Sequence, residues 1–167
     1  MIIDGAHSEV GFKVKHLMIS TVRGSFGTIV GSIDGELDNA NVSVAIDTTT
    51  INTNDESRDA HLKGPDFFDV EYHPAIDFVA EGVNVHNGAI TGELTIKGVS
   101  KEVTLSMTYN GSSVDPWGNE KHGFEISGKI NRSDFGLTWN APLETGGVLV
   151  SDNVDLMIDI QTMNSPE

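Results

Sequence analysis

A short run in the last third of the chain, INRSDFGLTWN at residues 130–140, collects residue types that catalytic sites use. Arg132, Ser133 and Asp134 are consecutive, and Trp139 follows them. The run comes after an apolar stretch with strand periodicity and before a proline. It therefore fits either an active-site loop or a corner that closes a fold, and the rest of the chain has to distinguish the two.

Serine hydrolysis is the first candidate chemistry. Ser133 is next to Asp134 and Ser8 is next to His7, but neighbours in an extended chain point to opposite sides. No G-x-S-x-G elbow is present, and the six histidines form neither an H-x-H pair nor H-E-x-x-H. There is no cysteine and no glycine-rich phosphate loop. The sequence therefore predicts no catalytic residue, no metal site and no cofactor.

The charge of the chain excludes other function classes. The formal net charge is -15, from 25 acidic residues against 10 Lys plus Arg, which repels phosphate backbones and anionic lipid surfaces. No apolar run approaches the roughly 20 residues of a membrane helix. The N-terminus, MIIDGAHSEV, lacks the regions of a signal peptide. We expect a soluble, cytoplasmic protein that binds no nucleic acid and has no stable membrane insertion; a trimmed periplasmic or secreted form is the alternative.

Alternation of apolar and polar residues is the dominant pattern of the chain. One face is apolar and the other polar, which is typical of half-buried antiparallel strands. The pattern covers residues 10–16, 26–34, 42–46, 76–85, 90–96, 103–109, 124–130 and 154–160. Turn signals separate the strands at Asn87-Gly88, Lys97-Gly98 and 115–118. The sequence predicts one all-β domain over residues 1–167, with eight antiparallel strands.

One segment interrupts the strand pattern. Thr53 and Glu56 fit a capping box and Gly64-Pro65 is a stop signal, which predicts a short helix over about residues 54–63. Its apolar content is low, so we expect it to lie across one end of the barrel. Phe67 and Phe68 follow, and adjacent side chains cannot both point inward from a strand. We predict that at least one of these rings is buried under the helix.

The interior of such a barrel is the open question. Glycines fall inside predicted strands, where they permit the strong coiling of a closed barrel. These glycines are Gly27, Gly31, Gly92 and Gly128. Eight strands enclose a space that either is filled by side chains or holds one small ligand, and composition leaves both interpretations open.

The sequence resembles the YceI-like family of lipocalin-like lipid-binding proteins along nearly its whole length. The matching segments are IDGAHSEVGFKVKHLMISTVRGSFG, RDAHLKGPDFFDVEYHPAIDF, GELTIKGVSKEV, DPWGNEKHGFEISGKINRSDFGLTWN and GGVLVSDNVDL. The resemblance implies an eight-stranded lipocalin-like barrel with an elongated apolar cavity for a polyisoprenoid or similar long amphiphile. It implies no catalytic activity, and a homodimer as one arrangement. Two departures are the missing signal peptide and Met1-Ile2, where members commonly carry a tryptophan.

These observations predict the binding residues. The run at 130–140 becomes a strand-end corner in which Arg132 and Asp134 form a local pair. Arg58, His61 and Lys63 are the predicted contacts for a phosphorylated headgroup, although a solvated helix face explains them too. The residues predicted to contact the lipid are Phe12, Val14, Phe26, Phe67, Phe68, Phe78, Leu94, Leu105, Met107, Phe124 and Trp139.

The predicted function is non-catalytic sequestration or carriage of a long-chain isoprenoid or fatty lipid. An enzyme that acts on a buried lipid is one alternative, and it needs a titratable group inside the cavity. His16, on the apolar face of its strand, is the candidate; we expect it to be hydrogen-bonded and without catalytic function. A purely structural barrel that contacts other proteins is the second alternative.

Overall fold

The computed structural model describes residues 1–143 and 149–165. The first three residues of the GGVLVSDNVDL segment, 146–148, lie outside the described residues. The strands are β1 Ile2–Ile3, β2 Glu9–His16, β3 Ser20–Phe26, β4 Ile29–Glu36, β5 Asn39–Asp47, β6 Ile51–Asn52, β7 Ala75–Val83, β8 Ala89–Ile96, β9 Val99–Val114, β10 Glu120–Asn131 and β11 Val150–Met163. The α-helix α1 is Glu56–Lys63, and short 3-10 turns lie at Gly5–His7, Thr48–Thr50 and Arg132–Phe135.

The eleven strands form a closed antiparallel barrel of eight strand positions, as the sequence predicts. Three positions are each built from two consecutive segments, β1 with β2, β3 with β4, and β5 with β6. The barrel closes because β11 pairs with β10 on one side and with both β1 and β2 on the other. All of these pairings are antiparallel, and apart from the closing pair, neighbouring positions in the barrel are consecutive in sequence.

The break between β3 and β4 is stabilised by a contact from another part of the chain. Predicted strand 26–34 is in fact the end of β3 and most of β4, separated at Gly27 and Thr28. The amide groups of both residues donate to the hydroxyl of Thr50, at 2.9 and 3.2 Å, so they are satisfied outside the sheet. A side chain from a segment more than 20 residues away therefore compensates for the lost ladder bonds.

Large inward side chains lie over inward glycines of neighbouring strands. A Cβ at Gly24 would lie 2.3 Å from the ring of Phe12, and one at Gly128 would lie 2.6 Å from a methyl group of Leu105. Gly24 is the residue opposite Phe12 in the β2–β3 register. Because each glycine leaves space beside the wall, the larger side chain can fold against the wall instead of filling the centre.

Helix α1 begins later than predicted and has a different cap. Its N-cap is Asp55, whose carboxylate accepts a hydrogen bond from the backbone N–H of Arg58. Thr53 instead bonds Asp59, which accepts from both its N–H and its hydroxyl. The Thr53–Glu56 capping box was therefore wrong, since Asp55 offers an equally good cap two residues later. The Gly64 stop is confirmed.

The segment after the helix returns to the barrel through a series of turns. Phe67 is buried, as predicted, and packs edge-on against His61 of α1 with ring centroids 5.1 Å apart. Phe68 is half-buried and lies 5.7 Å from the ring of Phe26 in the barrel wall. The two rings thus join α1 to the end of the barrel.

Candidate ligand-binding cavity

A cavity of about 620 Å³ runs through the barrel interior. Its walls are the inward faces of the strands, which are mostly aliphatic and aromatic. The eleven residues predicted to contact a lipid all line it. Eight of them lie in strands, where the period-two pattern located the inward face because alternate residues of a strand share a face.

The cavity reaches solvent at one end, beside helix α1. Its lining includes three exposed residues in the described part of the chain, Asp55, Ser57 and His61, and they belong to α1 and its cap. At the other end, the lining residues Val83 and Val85 are buried, so the cavity ends inside the barrel.

Trp139 forms one side of this mouth. Its ring lies 4.8 Å from His61 and 5.4 Å from Phe67, centroid to centroid. The three rings therefore connect the loop after β10 with the helix across the opening. Trp139 therefore lines the cavity at this opening.

Arg132 explains the INRSDFGLTWN run. It is 4% exposed and donates to four backbone carbonyl groups at 2.7 to 3.3 Å. These carbonyls belong to Leu137, Trp139, Val150 and Ser151. The guanidinium thus fastens the corner to the start of β11. Burial lowers the pKa of Arg132 from its ordinary value, and the charge of Asp152 opposes that shift.

The expected pair of Arg132 with Asp134 was wrong. The carboxylate near the guanidinium is that of Asp152, at 3.8 Å, and the hydroxyl of Ser133 donates to the same carboxylate at 2.9 Å. We expected residues close in sequence to pair, whereas the carboxylate belongs to β11, the strand that pairs with β10. The run is a structural corner, and Ser133 has an aspartate, not a histidine, as its side-chain partner.

The predicted headgroup residues are not all at the mouth. Arg58 and His61 line the cavity, whereas Lys63 is absent from the described lining. Arg58 donates from Nε and Nη2 to the hydroxyl and carbonyl oxygens of Thr53, and His61 Nε2 lies 2.9 Å from a carboxylate oxygen of Asp66. The polar groups of the mouth are thus held in place by their own neighbours.

His16 also lines the cavity, at the end of β2. Its imidazole makes no hydrogen bond to any residue within 1–143 or 149–165, contrary to our expectation; its carbonyl oxygen accepts from the hydroxyl of Ser20. Within those ranges no group of three or more His, Asp or Glu side chains is placed to hold a metal ion. They also contain no helix of the length and apolarity needed to cross a bilayer.

The fold and its apolar cavity define a lipocalin-like barrel. The chain belongs to the YceI-like family, whose domain matches residues 2–162. A UPF0312 protein of Staphylococcus aureus strain MSSA476 is 39% identical over 155 residues, which cover 90% of each chain.

Solved structures agree with this assignment. A YCEI protein of Campylobacter jejuni is 35% identical, with a TM-score of 0.75 over 98% of this chain and 96% of that one. BcnA of Burkholderia cenocepacia, 22% identical, has a TM-score of 0.80 over 96% and 99% of the two chains and shows the shared fold. A polyisoprenoid binding domain from Saccharophagus degradans, 12% identical, has a TM-score of 0.73 over 99% of this chain and 98% of that one.

Proposed function

We propose that this protein binds one long-chain isoprenoid or fatty lipid non-covalently in the barrel cavity, and so sequesters or carries it. The observation that carries the proposal is the apolar cavity of about 620 Å³ with an opening beside α1. Water fills such a space unfavourably because it needs polar partners, whereas alkyl groups of a ligand need none. The volume lies within the ~300–1,000 Å³ range of ligand pockets.

The strand lengths support a long ligand. Eight of the strands that line the cavity have eight to sixteen residues, and each residue adds ~3.3 Å along a strand before tilt. An acyl or prenyl tail of about 25 carbons that realises ~0.3 kcal/mol per heavy atom binds with roughly -7 to -8 kcal/mol, near micromolar affinity. The tail alone supplies this affinity. The Saccharophagus degradans domain is named for polyisoprenoids, and it shares the fold with this chain.

The distribution of charge supports binding without catalysis. The titratable residues among the described lining are His16, Asp55, Arg58, His61 and Arg132, and they lie at the mouth end. The deeper walls around Leu94, Leu105 and Phe124 are apolar. A chemical step on the buried tail would need a proton donor or acceptor there. Arg58 and His61 are our proposed contacts for a polar headgroup. Homodimer formation and a cytoplasmic location stay predictions of the sequence.

Native mass spectrometry of freshly purified protein, followed by uptake of a prenyl alcohol and a fatty acid by delipidated protein, tests the proposal. We expect one lipid per chain and uptake that leaves the lipid unmodified. If delipidated protein takes up neither lipid, the carrier function is refuted and a structural barrel is favoured. Turnover that is lost in His16→Gln while binding persists would favour the enzyme.

A further inference from the structure

The hairpin between β2 and β3 carries an exposed apolar tip. Leu17, Met18 and Ile19 are consecutive and 40%, 66% and 86% exposed, respectively. Single exposed apolar residues are ordinary on protein surfaces. Three together at a projecting turn form a contiguous apolar patch, which is typical of interaction surfaces. We call residues 17–19 the apolar tip.

The backbone of the apolar tip is strained as well. Leu17 and Met18 both have left-handed φ, 55° and 63°, and the N–H of Ile19 donates to the carbonyl of His16. Hairpin turns with this conformation favour Asn-Gly, because Asn and Gly tolerate positive φ. The turn between β8 and β9 has the same conformation with glycine at its second position, since Lys97 and Gly98 have φ values of 51° and 76°. Bulky apolar residues at these positions therefore lower both the stability of the turn and the solubility of the protein. Their presence at such a cost points to a function.

The apolar tip lies at the cavity mouth. His16 and Val22, on either side of it, both line the cavity. Val150 pairs with His16, and Arg132 binds the carbonyls of Val150 and Trp139. The ring of Trp139 then contacts α1. A continuous set of contacts therefore joins the tip to the helix beside the opening.

The charge around the apolar tip differs from that of the whole protein. Residues 10–33 contain no Asp or Glu, yet they hold three of the ten Lys and Arg, in a chain of net charge -15. Lys15 and Arg23 are exposed on the outer face of the hairpin, while Lys13 lies opposite Asp155 of β11. Cations next to exposed apolar side chains complement the phosphate groups and the acyl boundary of a lipid surface.

We propose that the apolar tip docks the barrel on a lipid bilayer, with Leu17, Met18 and Ile19 at the acyl boundary and Lys15 and Arg23 at headgroup phosphates. This inference rests on the proposed function, because docking would let a lipid pass between bilayer and cavity without exposing its chain to water. The negative charge elsewhere would orient the protein with this end toward the membrane.

Two tip variants and one control test the proposal. Met18→Asp/Ile19→Asp places charge on the tip, while Leu17→Asn/Met18→Gly removes apolar surface and gives the turn its preferred residues. The control, Val114→Asp/Trp117→Asp, likewise replaces two exposed apolar residues with aspartate, but at the β9–β10 hairpin. Val114 and Trp117 are 65% and 83% exposed. That hairpin joins the strand ends opposite the mouth.

The measurements are flotation with phosphatidylcholine vesicles, with and without phosphatidylglycerol, the transfer rate of a fluorescent prenyl lipid from vesicles, and its equilibrium uptake from detergent. We expect both tip variants to lose flotation and to slow transfer by about tenfold or more, the effect of ~1.4 kcal/mol, with unchanged uptake from detergent. The Asn-Gly variant should melt at a higher temperature than the parent. The control should match the parent in flotation and transfer.

Unchanged flotation and transfer in both tip variants would overturn the docking proposal and leave the carrier function standing. Absence of uptake by the parent from detergent would instead refute the carrier function, and flotation, which needs no ligand, would still decide docking. If the tip variants change the sedimentation of a dimer but not flotation, the tip contacts a second copy of the chain, and the proposal is wrong.

Discussion

Arg132 is the residue on which the corner after β10 depends. Its buried guanidinium satisfies four carbonyl groups, two in the corner and two at the start of β11. Replacing it with methionine keeps much of the volume and removes the side-chain donor of the Leu137 and Trp139 carbonyls, whereas the Val150 carbonyl still accepts from the amide of Asn140. Each buried carbonyl that loses its donor and that water cannot reach costs ~1–3 kcal/mol. We expect Arg132→Met to lower the free energy of unfolding in urea by about 2–4 kcal/mol.

Asp134 supplies the matched control for this prediction. It is exposed, and the ion pair of Arg132 is made with Asp152 instead. We expect Asp134→Asn to unfold like the parent. Equal losses in the two variants would restore the local pair of Arg132 and Asp134 that the structure argues against.

Asp4 makes a second residue-scale prediction, through pH. Desolvation alone would raise the pKa of this carboxyl, but hydrogen bonds and charges from His7 and Lys121 outweigh it, and the pKa lies below its ordinary value. The resulting stability is fully present above the pKa of the unfolded carboxyl, about 3.9, and is lost as pH falls through the lower folded-state pKa.

We therefore expect Asp4→Asn to flatten the acid limb of unfolding free energy measured against pH, below about pH 4. Asp38→Asn, at an exposed position in the β4–β5 turn, is the control and should keep the parent's acid limb. An Asp4→Asn curve that runs parallel to the parent's between about pH 2 and 4 would contradict the assignment.

At the scale of elements, α1 and the segment after it are attached to the barrel through aromatic rings. Phe67 is buried between His61 and Trp139. Truncation of a buried phenylalanine to alanine typically costs ~3–5 kcal/mol. We expect Phe67→Ala to lower the free energy of unfolding by about this amount. Tyr72→Ala, at an exposed aromatic of the same segment, is the control, and a parent-like Phe67→Ala would show that the segment is a loose flap.

The strands were the most predictable elements. Alternating residues such as Ile90, Leu94 and Leu105 located the inward face, because the strand period depends on the backbone alone. The breaks in three barrel positions were not predictable, since the one at Gly27 depends on the hydroxyl of Thr50 far along the chain. The partners of Arg132 escaped prediction for the same reason: they are carbonyl groups, and sequence patterns carry no information on which distant carbonyls meet a side chain.

At the scale of the whole molecule, the inward glycines keep the barrel hollow. Composition did not decide between a filled and a hollow barrel. The effect of an inward glycine depends on which neighbouring side chain lies over it. A Cβ at Gly24 or Gly128 would collide with the far end of Phe12 or Leu105, both flexible side chains. Each substitution to alanine should therefore push the larger side chain into the lumen while the strand register is kept.

The length of the lumen is the property that the last prediction tests. Gly128→Ala should move Leu105 inward, and Leu105→Trp or Met107→Trp should obstruct the same part of the barrel, deep in the cavity. A long prenyl chain must pass this point, whereas a short chain can remain between it and the mouth. We expect affinity for a chain of about 25 carbons to fall roughly tenfold or more in titrations, at ~1.4 kcal/mol per tenfold, and affinity for a short chain to change little. Val79→Trp, on the exposed face of β7, should bind both chains like the parent. Equal losses for long and short chains would mean that the ligand does not extend along the barrel, and the elongated mode of binding would be wrong.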